Sequence, residues 1–78
     1  MLHIKLNSYR SALDELATIP YLENKQQKHE TLKLAIDCLC EIPVKERPKN
    51  CRLAIGFLIL KDVSKAHQLI ECELSKLS

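Results

Sequence analysis

The chain has 78 residues, of which 46% are apolar and 28% are charged, and its formal net charge at pH 7 is +2. A chain of this length supports one core at most, and its composition is that of a folded domain rather than a disordered segment. Because the charge is spread along the chain without a block of one sign, neither nucleic acid nor a membrane surface is predicted as a partner.

Two features of the sequence bear on the location of the protein. The longest apolar stretch, Leu53 to Leu60, has eight residues, far fewer than the roughly 20 that cross a bilayer. The first residues lack the basic start and the long apolar run of a signal peptide. We therefore expect a cytoplasmic protein.

The first half of the sequence predicts two helices. Residues 7–18 repeat apolar side chains every three or four positions, and Pro20 predicts that this helix ends just after them. Residues 1–6 alternate apolar and polar side chains, so they fit either a helix or a short strand. A second helix over residues 25–42 is indicated by Asn24, whose side chain suits an N-cap.

The second half predicts two more helices, over residues 48–60 and 63–76. The third begins at Pro48, which suits a first helical position. From Cys51 onward every residue of this helix except Arg52 is apolar or glycine. A helix that is apolar all round must be covered on several sides.

The link between the third and fourth helices contains only Lys61 and Asp62. Such a short connection forces the two helices to fold back as an antiparallel pair. Residues 1–78 are therefore predicted to form a single all-α domain of three to four antiparallel helices.

The third and fourth helices resemble the tetratricopeptide repeat (TPR) family. Leu53, Ala54, Phe57, Ala66 and Ile70 fall at the spacing of its consensus, in which small residues let two helices approach closely and large residues fill the gap. The same segment is similar to the small TPR-like chaperones of type III secretion needle subunits. The resemblance implies TPR-like helical hairpins and a cytoplasmic protein that holds another protein.

The sequence departs from the TPR consensus at three positions. Lys61 stands where glycine is usual, Glu73 where a small residue is expected, and Ser78 where the closing proline falls. These departures argue against a regular repeat but are compatible with a TPR-like hairpin.

The sequence does not predict an enzyme. Its one glycine, Gly56, leaves no loop that cradles a phosphate and no nucleophile elbow. The four cysteines are expected to be free thiols, mostly buried, and no cofactor is expected. A zinc site built from Cys51, His67 and Cys72 is an alternative.

A basic connector joins the second and third helices, with Lys45, Arg47, Lys49 and Arg52 in a short stretch. Acidic residues lie close by and no aromatic residue is interleaved. This pattern predicts a solvated loop rather than a nucleic-acid contact.

The apolar third helix predicts a binding module whose groove accepts an amphipathic helix of another protein. The best candidate contacts are Leu34, Phe57, Leu58 and Leu60, although each also fits a core position. A narrower version is a chaperone for a type III secretion subunit. The alternatives are a homodimer, in which a second copy covers the same surface, and a small zinc-binding protein.

Overall fold

The computed structural model describes residues 2–77, and these residues form four α-helices without a strand. The helices are α1 (Leu2–Thr18), α2 (Lys25–Cys40), α3 (Lys49–Ile59) and α4 (Val63–Leu77). Short 3₁₀ turns at Ile19–Tyr21 and Val44–Glu46 lie in the first two connections. The all-α prediction is confirmed, and α1 extends to Leu2, so the described part of residues 1–6 is helical. Ser78 lies outside the described residues.

The helix ends follow local capping chemistry. The Asn24 side chain accepts a hydrogen bond from Gln26 N at 2.7 Å, which fixes the start of α2 as predicted. Pro48 precedes α3 as its N-cap and is not its first helical residue. Helix α2 ends at Cys40, two residues earlier than the sequence predicts. Differences of one or two residues at helix ends are usual.

The four helices pack as two hairpins that close into a ring. Helix α1 contacts α2 and α4, and α3 contacts the same two helices. The contact between α2 and α3 is the least extensive of the four. Short connections make neighbours in the chain run antiparallel.

Each helix contributes one alanine that is 0% exposed at the centre of the ring: Ala12, Ala35, Ala54 and Ala66. These small side chains let the helix axes approach closely, and larger residues fill the space around them. The largest of the fully buried apolar side chains are Tyr9, Leu39, Ile42, Leu58 and Ile70. All four helices therefore share one core.

Candidate partner-binding surface

Helix α3 divides its apolar residues between the core and the solvent. The inner residues are at most 1% exposed and comprise Cys51, Ala54 and Leu58. On the outer side, Leu53, Ile59 and Leu60 are 42%, 65% and 76% exposed. We name the outer group, which is Leu53, Gly56, Ile59 and Leu60, the α3 surface.

Gly56 lies in the middle of the α3 surface. A Cβ atom placed on it would meet nothing within 4 Å, so packing within the chain does not require glycine here. Glycine in a helix interior lowers stability by roughly 0.5–1 kcal/mol relative to alanine. The missing side chain leaves room for a close approach to the backbone of α3 from outside.

Helix α3 ends in a Schellman motif. Lys61 N donates a hydrogen bond to Leu58 O at 3.0 Å, and Asp62 N donates one to Phe57 O at 2.8 Å. The motif gives Lys61 a φ of 65°, a left-handed conformation that costs a residue other than glycine roughly 1–2 kcal/mol. The chain therefore carries lysine at a position that favours glycine.

A groove runs between α2 and α3 beside the α3 surface, where the contact between these helices is least extensive. Its volume is about 280 Å³, and its lining consists of His29, Leu32, Lys33, Ile36, Leu58, Ile59 and Lys61. Small-molecule sites usually occupy about 300–1,000 Å³ and enclose most of their ligand. This open, smaller groove is better suited to a row of side chains from another helix.

A wider groove between α1 and α4 is a weaker candidate, although its volume is about 690 Å³. Its large apolar residues, Leu16, Ile19 and Val63, are buried or half-buried by the chain itself. Its mouth carries a polar pair, in which His67 Nδ1 lies 2.9 Å from Glu71 Oε1. With Ser64 and Gln68 also in its lining, this groove is more polar than the α2–α3 groove.

The four predicted contact residues lie in different environments. Leu60 belongs to the α3 surface, whereas Leu58 is 1% exposed and belongs to the core, although it also forms part of the groove lining. Phe57 is half-buried, and Lys65 Nζ lies 5.4 Å from the centre of its ring. Leu34 is 51% exposed but lies in a separate depression lined by α2 alone. Of the four predicted contacts, only Leu60 belongs to the α3 surface.

Sequence reasoning missed Leu53, Ile59 and Lys61. A signal was present, because Leu53 and Leu60 are seven residues apart and share one side of a helix. In a helix that is apolar all round, however, the pattern does not identify which side faces the core. The packing of α3 against its two neighbours decides that question.

The structure does not bring the proposed zinc ligands together. Cys51 is buried in the core, His67 is paired with Glu71, and Cys72 Sγ accepts a weak hydrogen bond from Asn50 Nδ2 at 3.9 Å. Within residues 2–77, no three His, Cys, Asp or Glu side chains are grouped so that they could hold a metal ion.

The opposite half of the molecule contains a buried polar cluster. Glu73 is 5% exposed, and its Oε2 lies 2.8 Å from Lys76 Nζ and 3.5 Å from Asn50 Nδ2. Desolvation raises the pKa of Tyr9 to about 12, with smaller contributions from the charges of Cys51 and Glu73. The buried Glu73 carboxylate is thus paired within the chain, with Asn50 and with the exposed Lys76.

None of the helices within residues 2–77 is long and apolar enough to cross a bilayer. No protein-family model matches the chain, and no curated protein or solved structure matches it significantly. A function must therefore be inferred from the geometry and charge of the chain's own residues.

Proposed function

We propose that this protein is a binding module that holds an amphipathic helix of another protein against the α3 surface and the α2–α3 groove. The observation that carries this proposal is the exposure of Ile59 and Leu60, 65% and 76%, on a helix whose inner face already fills the core. Fully covering a side chain of this kind contributes about 1.5–3 kcal/mol. Only a bound partner can cover these two side chains and so provide this stabilisation.

The residue choices at this surface support the proposal. Alanine at position 56 and glycine at position 61 would both stabilise the fold, because Gly56 faces open space and Lys61 has a left-handed backbone. Sequences depart from their locally most stable choices mainly where function requires another residue. Two such departures lie on one side of α3.

The spacing of the surface also suits a helical partner. Leu53 and Gly56 lie in α3 and Leu60 is its C-cap residue. In sequence they stand at positions i, i+3 and i+7, the spacing by which amphipathic helices contact one another. The glycine lies between two large side chains. A partner helix can therefore cross close to the backbone at Gly56 while its own apolar residues contact Leu53 and Leu60.

A chaperone for a type III secretion subunit is the narrower form of this proposal. It is supported by the resemblance of residues 53–70 to TPR-like chaperones. Covering an amphipathic helix of a subunit until it is needed requires binding without catalysis. In this form the protein acts in the cytoplasm and needs no cofactor.

Self-association is the second candidate, because a second copy can cover Ile59 and Leu60 equally well. Light scattering over a range of protein concentrations distinguishes the two. A monomer that stays monomeric supports a foreign partner. A dimer that dissociates when Leu60 is replaced by glutamate supports self-association.

The binding proposal is tested by NMR with an uncharged amphipathic peptide of Leu and Gln, held helical by a hydrocarbon staple. We expect the peptide to shift backbone amide signals within 53–61, whereas a peptide of the same composition with scrambled spacing does not. Leu60→Ser should weaken binding, and the matched control Leu34→Ser should not. Equal binding by both variants would contradict the proposed surface.

A further inference from the structure

Basic side chains surround the end of the α2–α3 groove. An adjoining cavity of about 410 Å³ shares His29, Leu32 and Lys61 with the groove and adds two lysines of the α2 amino terminus. Together the two linings carry five basic residues and no carboxylate. We name these residues the basic rim: Lys25, Lys28, His29, Lys33 and Lys61.

The positive charge of the rim results from placement and not from composition. The chain has 12 Lys and Arg residues against 10 Asp and Glu residues, so carboxylates are available. Helix α3 contains none, and the first turn of α2 contains none. The amino terminus of α2 also carries the positive end of the helix dipole, and no carboxylate in the first turn offsets it.

The carboxylates nearest to the rim lie outside the linings of the groove and the adjoining cavity. Asp62 Oδ1 accepts a hydrogen bond from Lys65 N at 3.3 Å and so caps α4. Glu30 and Asp37 line the depression around Leu34, which only Lys33 shares with the groove. Lys25, Lys28 and Lys61 line the adjoining cavity, whose lining contains no carboxylate. Lys28 also reaches the α1–α4 groove, where Glu71 lies.

From this charge pattern we infer that the occupant of the α3 surface is an acidic amphipathic helix of another protein. The inference rests on the proposed binding function and names the chemistry of the partner. Its apolar side covers Leu53, Ile59 and Leu60, and its carboxylates lie opposite the basic rim. Complementary charge of this kind gives both specificity and a faster association.

The same charges disfavour a second copy as the occupant. In a two-fold symmetric contact the same patch meets itself, so residue i contacts residue j and residue j contacts residue i. A contact centred on Gly56 would place Arg52 and Lys61 of one copy near the same residues of the other. Like charges brought together in this way weaken the contact.

The inference is tested with three stapled peptides that share one leucine face and differ only in their polar positions, which are all Glu, all Gln or all Lys. Fluorescence anisotropy at low salt should show the Glu peptide binding about tenfold more tightly than the Gln peptide, as a few exposed ion pairs would produce. The Lys peptide should bind most weakly. Raising the salt concentration should bring the three affinities together.

Charge-reversal variants test whether the basic rim causes the preference for the Glu peptide. Lys28→Glu with Lys61→Glu should abolish or reverse the preference for the Glu peptide, measured within each variant as the ratio of its affinities for the Glu and Gln peptides. The control pair Arg10→Glu with Lys45→Glu changes the net charge by the same amount at other positions and should retain the preference. Loss of preference in both pairs would attribute it to net charge and overturn the inference.

The remaining outcomes separate this inference from the proposed function. If all three peptides bind equally, the binding function stands and the acidic partner is wrong. If none binds, both are wrong. Tighter association with phosphatidylserine vesicles than with the Glu peptide, lost in the Lys28/Lys61 pair, would assign the rim to anionic lipid and overturn the inference.

Discussion

At the level of single residues, Lys61 shows how this chain departs from its most stable sequence. Its φ of 65° completes the hydrogen bonds that end α3, and glycine satisfies the same geometry at lower cost. The lysine side chain lines the groove beside Ile59. The fold does not require lysine at this position, and our proposal assigns its side chain to the binding surface.

Replacing Lys61 with glycine is expected to raise the free energy of unfolding by about 1 kcal/mol, because the left-handed conformation then carries no steric penalty. Urea denaturation followed by circular dichroism measures the change. Lys61→Ala is the matched control, since it removes the same charge but keeps the penalty, and should stay within about 0.5 kcal/mol of the wild type. Equal stabilisation by both would point to charge and not to backbone strain.

Tyr9 gives the fold a dependence on alkaline pH. Its pKa is raised from 10.0 to about 12, mainly by desolvation. Below pH 10 the phenol is protonated in both states, so its contribution to stability is constant. Between pH 10 and 12 the unfolded chain loses the proton and the folded chain keeps it, so the free energy of unfolding falls as pH rises.

Tyr9→Phe is expected to reduce this loss, because the variant has no phenol to ionise. The Tyr9 hydroxyl has no hydrogen-bond partner among residues 2–77, so stability at pH 8 should change by no more than about 1 kcal/mol. Tyr21→Phe, at a side chain that is 85% exposed, should retain the wild-type pH dependence. Urea denaturation at pH 8 and pH 11 compares the three proteins. An unchanged slope in Tyr9→Phe would contradict the assignment.

At the level of the helices, the end of α2 depends on a side chain from the following connection. Arg47 Nε donates to Ile42 O at 2.8 Å, and its Nη2 donates to Cys40 O at 2.9 Å. These carbonyls lie at the carboxyl end of the helix, where the last C=O groups have no partner within the helix. The basic connector, predicted as a solvated loop, thus contributes one structural cation.

Arg47→Ala is expected to lower the free energy of unfolding by about 1–2 kcal/mol, because two hydrogen bonds from a charged donor are lost. Amide hydrogen exchange should show faster opening of the last turn of α2. Lys45→Ala changes an exposed neighbour and should have an effect below about 0.5 kcal/mol. Similar losses in the two variants would mean that general charge, and not these bonds, holds the helix end.

At the scale of the whole molecule, the packing of the four helices decides which of the two apolar sides of α3 is buried. Helix α3 packs mainly against α2 and α4, so one side fills the core while the opposite side faces solvent. Two neighbouring leucines, Leu58 and Leu60, are 1% and 76% exposed. The same residue type therefore serves stability at one position and, in our proposal, binding at the other.

Leu58→Ala is expected to lower the free energy of unfolding by about 2–5 kcal/mol, because it opens a cavity in the core. For a chain of this size such a loss is a large part of the total stability. Leu60→Ala should change stability by less than about 0.5 kcal/mol while weakening peptide binding. Thermal and urea denaturation compare the two. A large loss of stability in Leu60→Ala would place this residue in the fold and not in the binding surface.

Much of the helical architecture was predictable because its signals are local. Pro20, Asn24 and the Lys61-Asp62 link mark helix ends and a tight turn through backbone chemistry that neighbouring residues alone decide. The contact residues were less predictable. Leu58 and Leu60 lie in one apolar run, and nothing within that run distinguishes the buried leucine from the exposed one.

Periodicity and capping act over only a few residues, so the all-α class, the antiparallel hairpins and the excess of apolar residues in α3 follow from the sequence. Which side of α3 faces outward, and which charges meet there, could not be predicted in this way. Those features depend on how α2, α3 and α4 pack together. Lys25 and Lys61 are far apart in the chain, and only this packing places them in the lining of one cavity.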